Sequence, residues 1–350
     1  MTMFHRLKSL VLFGLISLLM VGCSAPTVLK PKGPVAEQQS DLIVYSIIFM
    51  LTIVAVIFVL FTVILVKYKD RKENPNYDPK HEGNVLLEIV WTVIPVVIVI
   101  ALSIPTVSTI YSLEKAPVAT AHKEPLVIHA TSANWKWIFS YPEEDIETVN
   151  YLNIPEDRPI LFRLTSADSM AALWIPQLGG QKYNMAGMET KLYLQADHVG
   201  TYKGRNANFT GDGFTNQRFE VHALTEEDYA AWVEDTQENA PELTQAEYDL
   251  KLMIPGSVDE MTFSNTHLDW VNHVKNASYA LEARERLGYI NRNPHAKGPV
   301  PPLKDPSELE FYTNPESRET ETSDSNQGHG GHEDHEDMTQ DEDMSHGEGH

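Results

Sequence analysis

Four groups of residues carry the side chains this sequence offers for chemistry. Cys23 is the only cysteine. It follows Met20-Val21-Gly22, and small residues ahead of such a cysteine form a bacterial lipobox, so Cys23 is expected to receive a diacylglyceryl group and become the first residue. The alternative is an incidental cysteine in an uncleaved helix. Glu88 stands at the start of the second long apolar run. A carboxylate at membrane depth is costly and is a functional candidate by default. The alternative is an interfacial carboxylate held by the helix dipole. Met185 and Met188 offer soft thioether donors, but no Cys or nearby His completes a mononuclear copper site, and packing is their expected role. His329, His332, His335, His346 and His350 stand among Asp and Glu near the C-terminus. That cluster suits weak chelation of Cu²⁺ or Zn²⁺. Mobile ligands must be ordered first, which favours a solvated tail with incidental metal affinity.

Composition closes off several classes. One cysteine rules out an internal disulfide framework, Cys-rich zinc sites and thiolate-bridged copper pairs. A net charge of −22 argues against a nucleic-acid partner.

The elements that must carry these residues follow from hydropathy. Residues 1–22 read as a lipoprotein signal peptide, with His5, Arg6 and Lys8 ahead of an apolar stretch from Val11 to Met20. Residues 23–40 form an N-terminal segment outside the cytoplasm. Within 41–112, Leu42 to Val66 and Ile89 to Tyr111 are long enough to cross a hydrocarbon core of about 30 Å. Pro95 and Pro105 are expected to kink the second span. The short connection holds Lys67, Lys69, Arg71, Lys72 and Lys80, which marks the cytoplasmic side. Both mature termini then lie outside. Residues 125–222 switch to short β-rich runs, Leu126–Thr131, Pro159–Leu164, Thr190–Gln195 and Phe219–His222, separated by Pro, Gly and Asp. Their length suits a Greek-key β-sandwich. Residues 223–304 read as a helical extension, with capping-box starts at Thr225-Glu-Glu-Asp228 and Thr244-Gln-Ala-Glu247 and a third helix near Ser278 to Leu287. Residues 305–350 read as a disordered acidic tail.

Several motifs in order then resemble one family. Leu87-Glu-Ile-Val-Trp-Thr-Val-Ile-Pro95 opens the second span. Trp135-Lys-Trp-Ile-Phe-Ser-Tyr-Pro142 is an aromatic segment. Ser166-Ala-Asp168, Leu173-Trp-Ile-Pro-Gln-Leu178, Met185-Ala-Gly-Met188 and Gly200-Thr-Tyr202 follow. The chain resembles subunit II of the haem-copper terminal oxidases from its signal peptide to about residue 290. Within that family it is most similar to subunit II of the menaquinol oxidases of Gram-positive bacteria. The resemblance implies that the sandwich is cupredoxin-like. It also locates five ligand positions of the dinuclear copper centre found in cytochrome c oxidases. The first His falls on Ala171, the two Cys on Asn206 and Thr210, the second His on Phe214 and the Met on Gln217; the magnesium-site Glu falls on Asn208. None of these residues is the family ligand, and no cysteine lies anywhere in the domain.

In the family, members without that copper pair are quinol oxidases. The resemblance therefore implies no metal in this chain, with haems and oxygen-reducing copper in subunit I and quinol as the substrate of the complex. It implies subunits I, III and IV and membrane lipid as partners, in a proton-pumping complex at the plasma membrane. It matches Glu88 to a proton-channel entrance. Trp135 and Trp137, with no copper to serve, are expected to pack against the rest of the complex. Two other functions stay open from sequence: a copper-binding cytochrome c oxidase subunit, and a lipoprotein that binds metal through its His-rich tail.

Overall fold

The computed structural model describes residues 26–68, 83–289 and 302–314. Two long helices come first: α1, Pro34–Lys67, and α2, Val85–Leu113. Gly33 caps α1 and Pro34 occupies its first turn, where a missing N–H costs nothing. The Asn84 side chain caps α2 by accepting from the N–H groups of Leu86 and Leu87. Both helices are apolar all round and stay uncovered over their central windows. Phe58 and Val66 are about two-thirds exposed, so these surfaces face lipid or a partner rather than a core of this chain.

Five hydroxyls in the helices are satisfied internally, as a bilayer demands. Ser46, Thr52, Thr62, Thr92 and Thr106 each donate to the carbonyl one turn back. Pro105 has no N–H for the carbonyl of Ala101. The Tyr45 hydroxyl of the neighbouring helix donates to that carbonyl at 3.4 Å. The N-terminal end of α1 is fixed to the following domain: Lys32 N–H donates to Gln177 and the Lys32 carbonyl accepts from Asp197. Gly33 is required there, because a Cβ would lie 1.9 Å from the Gln195 carbonyl oxygen.

Eleven strands among the described residues form two sheets. They are β1 Leu126–Ala133, β2 Lys136–Tyr141, β3 Ile146–Val149, β4 Tyr151–Pro155, β5 Ile160–Ser166, β6 Ala171–Ile175, β7 Gly179–Asn184, β8 Thr190–Leu194, β9 Gly200–Asn206, β10 Arg218–Leu224 and β11 Met261–Phe263. One sheet runs β11-β3-β2-β1-β5-β8 and the other β4-β10-β9-β6-β7. The β1–β5 and β10–β4 pairs are parallel, as strands from different hairpins become when the chain crosses between sheets. The fold is therefore a helical hairpin followed by a cupredoxin-like sandwich. Its interior holds Ile128, Trp137, Phe139, Phe162, Leu173, Leu194, Phe219 and Val221.

A cap packs on the outside of the first sheet. Helix α3, Glu226–Asn239, precedes it and packs Tyr229, Trp232 and Val233 against the sandwich interior. The cap contains a turn at Gln245–Glu247 that widens into a π-helical turn at Tyr248–Met253, and α4 Tyr279–Arg286. Thr225 and Thr244 cap their helices as the capping boxes predict, accepting from Asp228 and Glu247 N–H. Ile138, Val149, Leu252, Phe263 and Tyr279 form a second apolar cluster between cap and sheet. Strand β2 is thus covered on both faces. Trp137, Phe139 and Tyr141 point into the sandwich, and Ile138 points into the cap cluster.

Two expectations change here. The extension after residue 222 is not wholly helical, because β11 pairs with β3 and completes the sheet. The stretch from residue 305 onward is not wholly disordered. Residues 302–314 lie on the cap, with a 3₁₀ turn at Pro306–Glu308 and helix α5 at Glu310–Thr313. Phe311 is buried there, and the Tyr312 hydroxyl donates to Asp249 at 2.6 Å. These two aromatics offset the ordering entropy that the surrounding acidic composition cannot.

Candidate functional site

The loop from Asn206 to Gln217 joins the end of β9 to the start of β10. Its ends are closed by Asn206 N–H donating to the Gln217 carbonyl at 3.0 Å. Inside this closure three side chains meet. Asn206 Nδ2 donates to Gln217 Oε1 at 2.7 Å and lies 3.3 Å from Thr210 Oγ1, which itself donates to Gln217 Oε1 at 3.3 Å. Asn206 Oδ1 accepts from the N–H of Ala172 and of Asn208, both at 2.9 Å. Asn206 and Gln217 are buried. Ala171 begins β6 one residue from that contact and is buried too. Phe214 is not drawn into the cluster and pairs instead with Phe209 on the loop, ring centroids 5.6 Å apart. Asn208 turns to the Met170 carbonyl at 2.8 Å.

Two residues of the aromatic segment support the loop. Trp135 donates its indole N–H to the Thr210 carbonyl at 2.8 Å. Its ring lies over Gly213, where a Cβ would come within 2.2 Å. Lys136 is fully buried below, its carbonyl 3.3 Å from Gln217 Nε2 and its Nζ donating to the Ile254 carbonyl at 2.7 Å. Burial pushes the Lys136 ammonium down to about 7, against an opposing pull from Asp168. Trp137 does not pack against another subunit. It is fully buried in the sandwich core, against Phe139 and Phe219, because β2 alternates its aromatics inward.

These amides and hydroxyls are neutral, hard and already bonded to one another. A thiolate-bridged copper pair needs soft anionic donors, and this set does not fit one. Among the described residues, no group of three or more His, Cys, Asp or Glu is placed to hold a metal ion. What the cluster does physically is hold the loop closed without redox or proton chemistry.

The other predicted residues lie apart from it. Glu88 sits exposed in the first turn of α2, its N–H donating to the Asn84 carbonyl at 3.0 Å. Met185 and Met188 form a single bridge in the β7–β8 connection, Met185 half-buried and Met188 half-exposed, so neither fills the core. Cys23, the basic residues from Lys69 to Lys80 and the tail histidines lie outside the described residues.

Sequence reasoning missed a second polar cluster under the cap. The fully buried Asp249 accepts from Tyr279 at 2.8 Å, Arg286 at 2.9 Å and Tyr312 at 2.6 Å. Burial raises its carboxyl above the usual range, and these donors pull it back. Beside it, His267 Nδ1 lies 2.6 Å from Glu147, and Tyr248 lies 2.6 Å from His273 Nε2. Burial, with repulsion from His267, holds the His273 imidazole down to about 3, so it is neutral. The members are scattered along the chain, and no local spacing signals them.

Comparison with known proteins gives the family. The family described as cytochrome C oxidase subunit II, transmembrane domain, matches residues 30–109. Quinol oxidase subunit 2 of Bacillus spizizenii is 63% identical over 321 residues, 91% of this chain and 99% of that protein. Quinol oxidase subunit 2 of Bacillus subtilis is 62% identical over the same extent. The periplasmic domain of subunit II of cytochrome oxidase of Bradyrhizobium japonicum is 21% identical, with a TM-score of 0.32, over 33% of this chain and 96% of that one. With identity of that order along nearly the whole length, the chain belongs to the quinol oxidase subunit 2 family, the membrane-bound subunit II of the haem-copper quinol oxidases.

Proposed function

We propose that this chain is the copper-free scaffold of a menaquinol-oxidising, proton-pumping terminal oxidase that reduces oxygen to water. The observation that carries this reading is the Asn206–Thr210–Gln217 hydrogen-bonded cluster. It sits at the positions that the family resemblance gives to copper ligands. A subunit with amides there has no one-electron acceptor for a soluble cytochrome c on its outer face. Electrons then enter from quinol within the bilayer, at a site mainly on subunit I, which carries the haems and the oxygen-reducing copper. Subunits III and IV complete the assembly.

On this reading the hairpin crosses the plasma membrane with its basic connection in the cytoplasm and the sandwich outside. Cys23 carries a lipid that supplements two spanning helices. Glu88 then lies at the cytoplasmic end of α2 and admits protons toward subunit I. Its exposure in the first turn supports that role, since no group among the described residues occupies its carboxylate.

Purification of the tagged chain from membranes tests the proposal, followed by haem spectra and oxygen uptake. Uptake with menaquinol and not with reduced cytochrome c is the expected result. Uptake with cytochrome c alone overturns it. Full haem and activity after removal of the tail beyond Asn314 sets aside a metal-binding function of the histidines.

A further inference from the structure

At the N-terminal end of α1 and the C-terminal end of α2, the helices flank an open groove of about 650 Å³. Gln38, Asp41, Leu42 and Tyr45 line it from α1, and Ile104 and Pro105 from α2. Two of its polar side chains are engaged. Tyr45 covers the Ala101 carbonyl, and Gln38 Oε1 accepts from the Ser112 hydroxyl at 2.8 Å. Asp41 is different. It is exposed, and among the described residues no hydrogen bond or ion pair reaches its carboxylate.

Its position makes that costly. Asp41 directly precedes the Leu42–Val66 apolar run. Helix-dipole stabilisation fades beyond the first turn, and Asp41 lies two turns in, unlike Glu37. A carboxylate at the edge of the hydrocarbon calls for an opposite charge. The groove beside it is largely apolar: Leu42, Ala101, Ile104 and Pro105 line it, and Ile104 is about two-thirds exposed. An apolar groove with one anionic point matches an apolar helix with one cationic point. A hydroxylated headgroup would leave the charge unneutralised.

We infer that this groove seats a transmembrane helix of a partner oxidase subunit, whose Arg or Lys side chain pairs with Asp41. The inference rests on the chain working inside an oxidase complex. The two ends of the hairpin then have separate carboxylate roles: Glu88 for protons, Asp41 for assembly.

The test uses the whole complex in native membranes. Ile104 is replaced by photoreactive p-benzoylphenylalanine and the cross-linked peptide is sequenced. In parallel, Asp41→Asn and Asp41→Glu are compared for partner retention through detergent purification. The expected cross-link lies on a partner's spanning helix, within a turn of an Arg or Lys. Retention is expected to fall about tenfold in Asp41→Asn, with little change in Asp41→Glu. Cross-links only to lipid or quinone, a partner helix without Arg or Lys in that turn, or equal retention of Asp41→Asn would each overturn the inference. Failure of the unsubstituted chain to bring down haem would instead overturn the proposed function, so the two readings fail separately.

Discussion

Asn206→Leu is the substitution that most directly probes the loop cluster. Leucine keeps a similar volume and removes every hydrogen bond of the amide. The Ala172 N–H, fully buried, loses its acceptor at 2.9 Å. Gln217 Oε1 loses its 2.7 Å donor and keeps only Thr210 at 3.3 Å. The Asn208 N–H is only half-buried and turns to water. A buried polar group left unpaired costs about 1–3 kcal/mol. One complete and one partial loss, less what the buried leucine contributes, come to about 3 kcal/mol. For a region of this size that lowers the melting temperature by about 6–12 °C. The assay is thermal unfolding of the detergent-solubilised oxidase, followed by tryptophan emission, since Trp135 donates into this loop. Phe214→Ala, on the loop's aromatic pair, is the control and is expected to cost less than about 1 kcal/mol. An Asn206→Leu enzyme that melts within about 1 °C of the unsubstituted one would refute the argument that these three side chains hold the loop.

Three further outcomes are expected. Glu88→Gln assembles with normal haem content but takes up protons several-fold more slowly, and Glu88→Asp recovers part of the rate; unchanged turnover and proton uptake in Glu88→Gln would end its proposed role. Lys136→Met is expected to stabilise the domain by about 1–3 kcal/mol at pH 6 and to flatten its pH dependence. The folded-state value near 7 lies below the usual 10.5, so between the two the unfolded chain binds more protons and stability rises with pH, while below pH 7 the full burial penalty is present. Urea unfolding at pH 6 and pH 9 checks the sign, and greater stability of the unsubstituted protein at pH 6 contradicts it. Truncation after Lys304 removes Phe311 and Tyr312 and costs about 2–4 kcal/mol, read by the same melts.

The two helices were legible because span length and apolarity are properties of contiguous residues. Strands β1, β5, β8 and β10 were legible in part for the same reason. Strand β2 was not, since the cap covers its outer face and every residue from Lys136 to Tyr141 is buried. Period-two alternation fails when both faces are dry. Strand β11 escaped because three residues carry no pattern of their own. The ordered segment around Phe311 was hidden by averaging: two aromatics decide its fate, while many acidic neighbours set its composition. Part of the candidate site was visible through the family resemblance. Asn206, Thr210 and Gln217, read off the family loop, meet in space, whereas nothing in the sequence indicated that they would bond to one another. Asp249 and its donors Tyr279, Arg286 and Tyr312 gave no signal, because their convergence depends on the packing of three separate segments.

Replacing metal ligands poses a physical problem that bears on how such a subunit persists. A loop shaped around a metal loses its central bonds when the ligands change, and a polar cavity left behind must be filled or hydrated. Apolar residues would leave the N–H of Ala172 and Asn208 facing them without acceptors. The Asn, Thr and Gln found here are neutral, and each pairs with another while Asn206 also accepts from those two N–H groups. The cluster therefore supplies cross-loop bonds without charge to desolvate, at the scale of a few kcal/mol for the whole set. The same set explains why a single ligand-type substitution should be costly: a lone cysteine at Asn206 gains no metal and orphans the Ala172 N–H, the same fully buried donor whose loss dominates the Asn206→Leu penalty. On the proposed reading, the sandwich keeps the shape that its partners contact while its electron-transfer function is gone, and the hydrogen bonds within the loop are what separate the two.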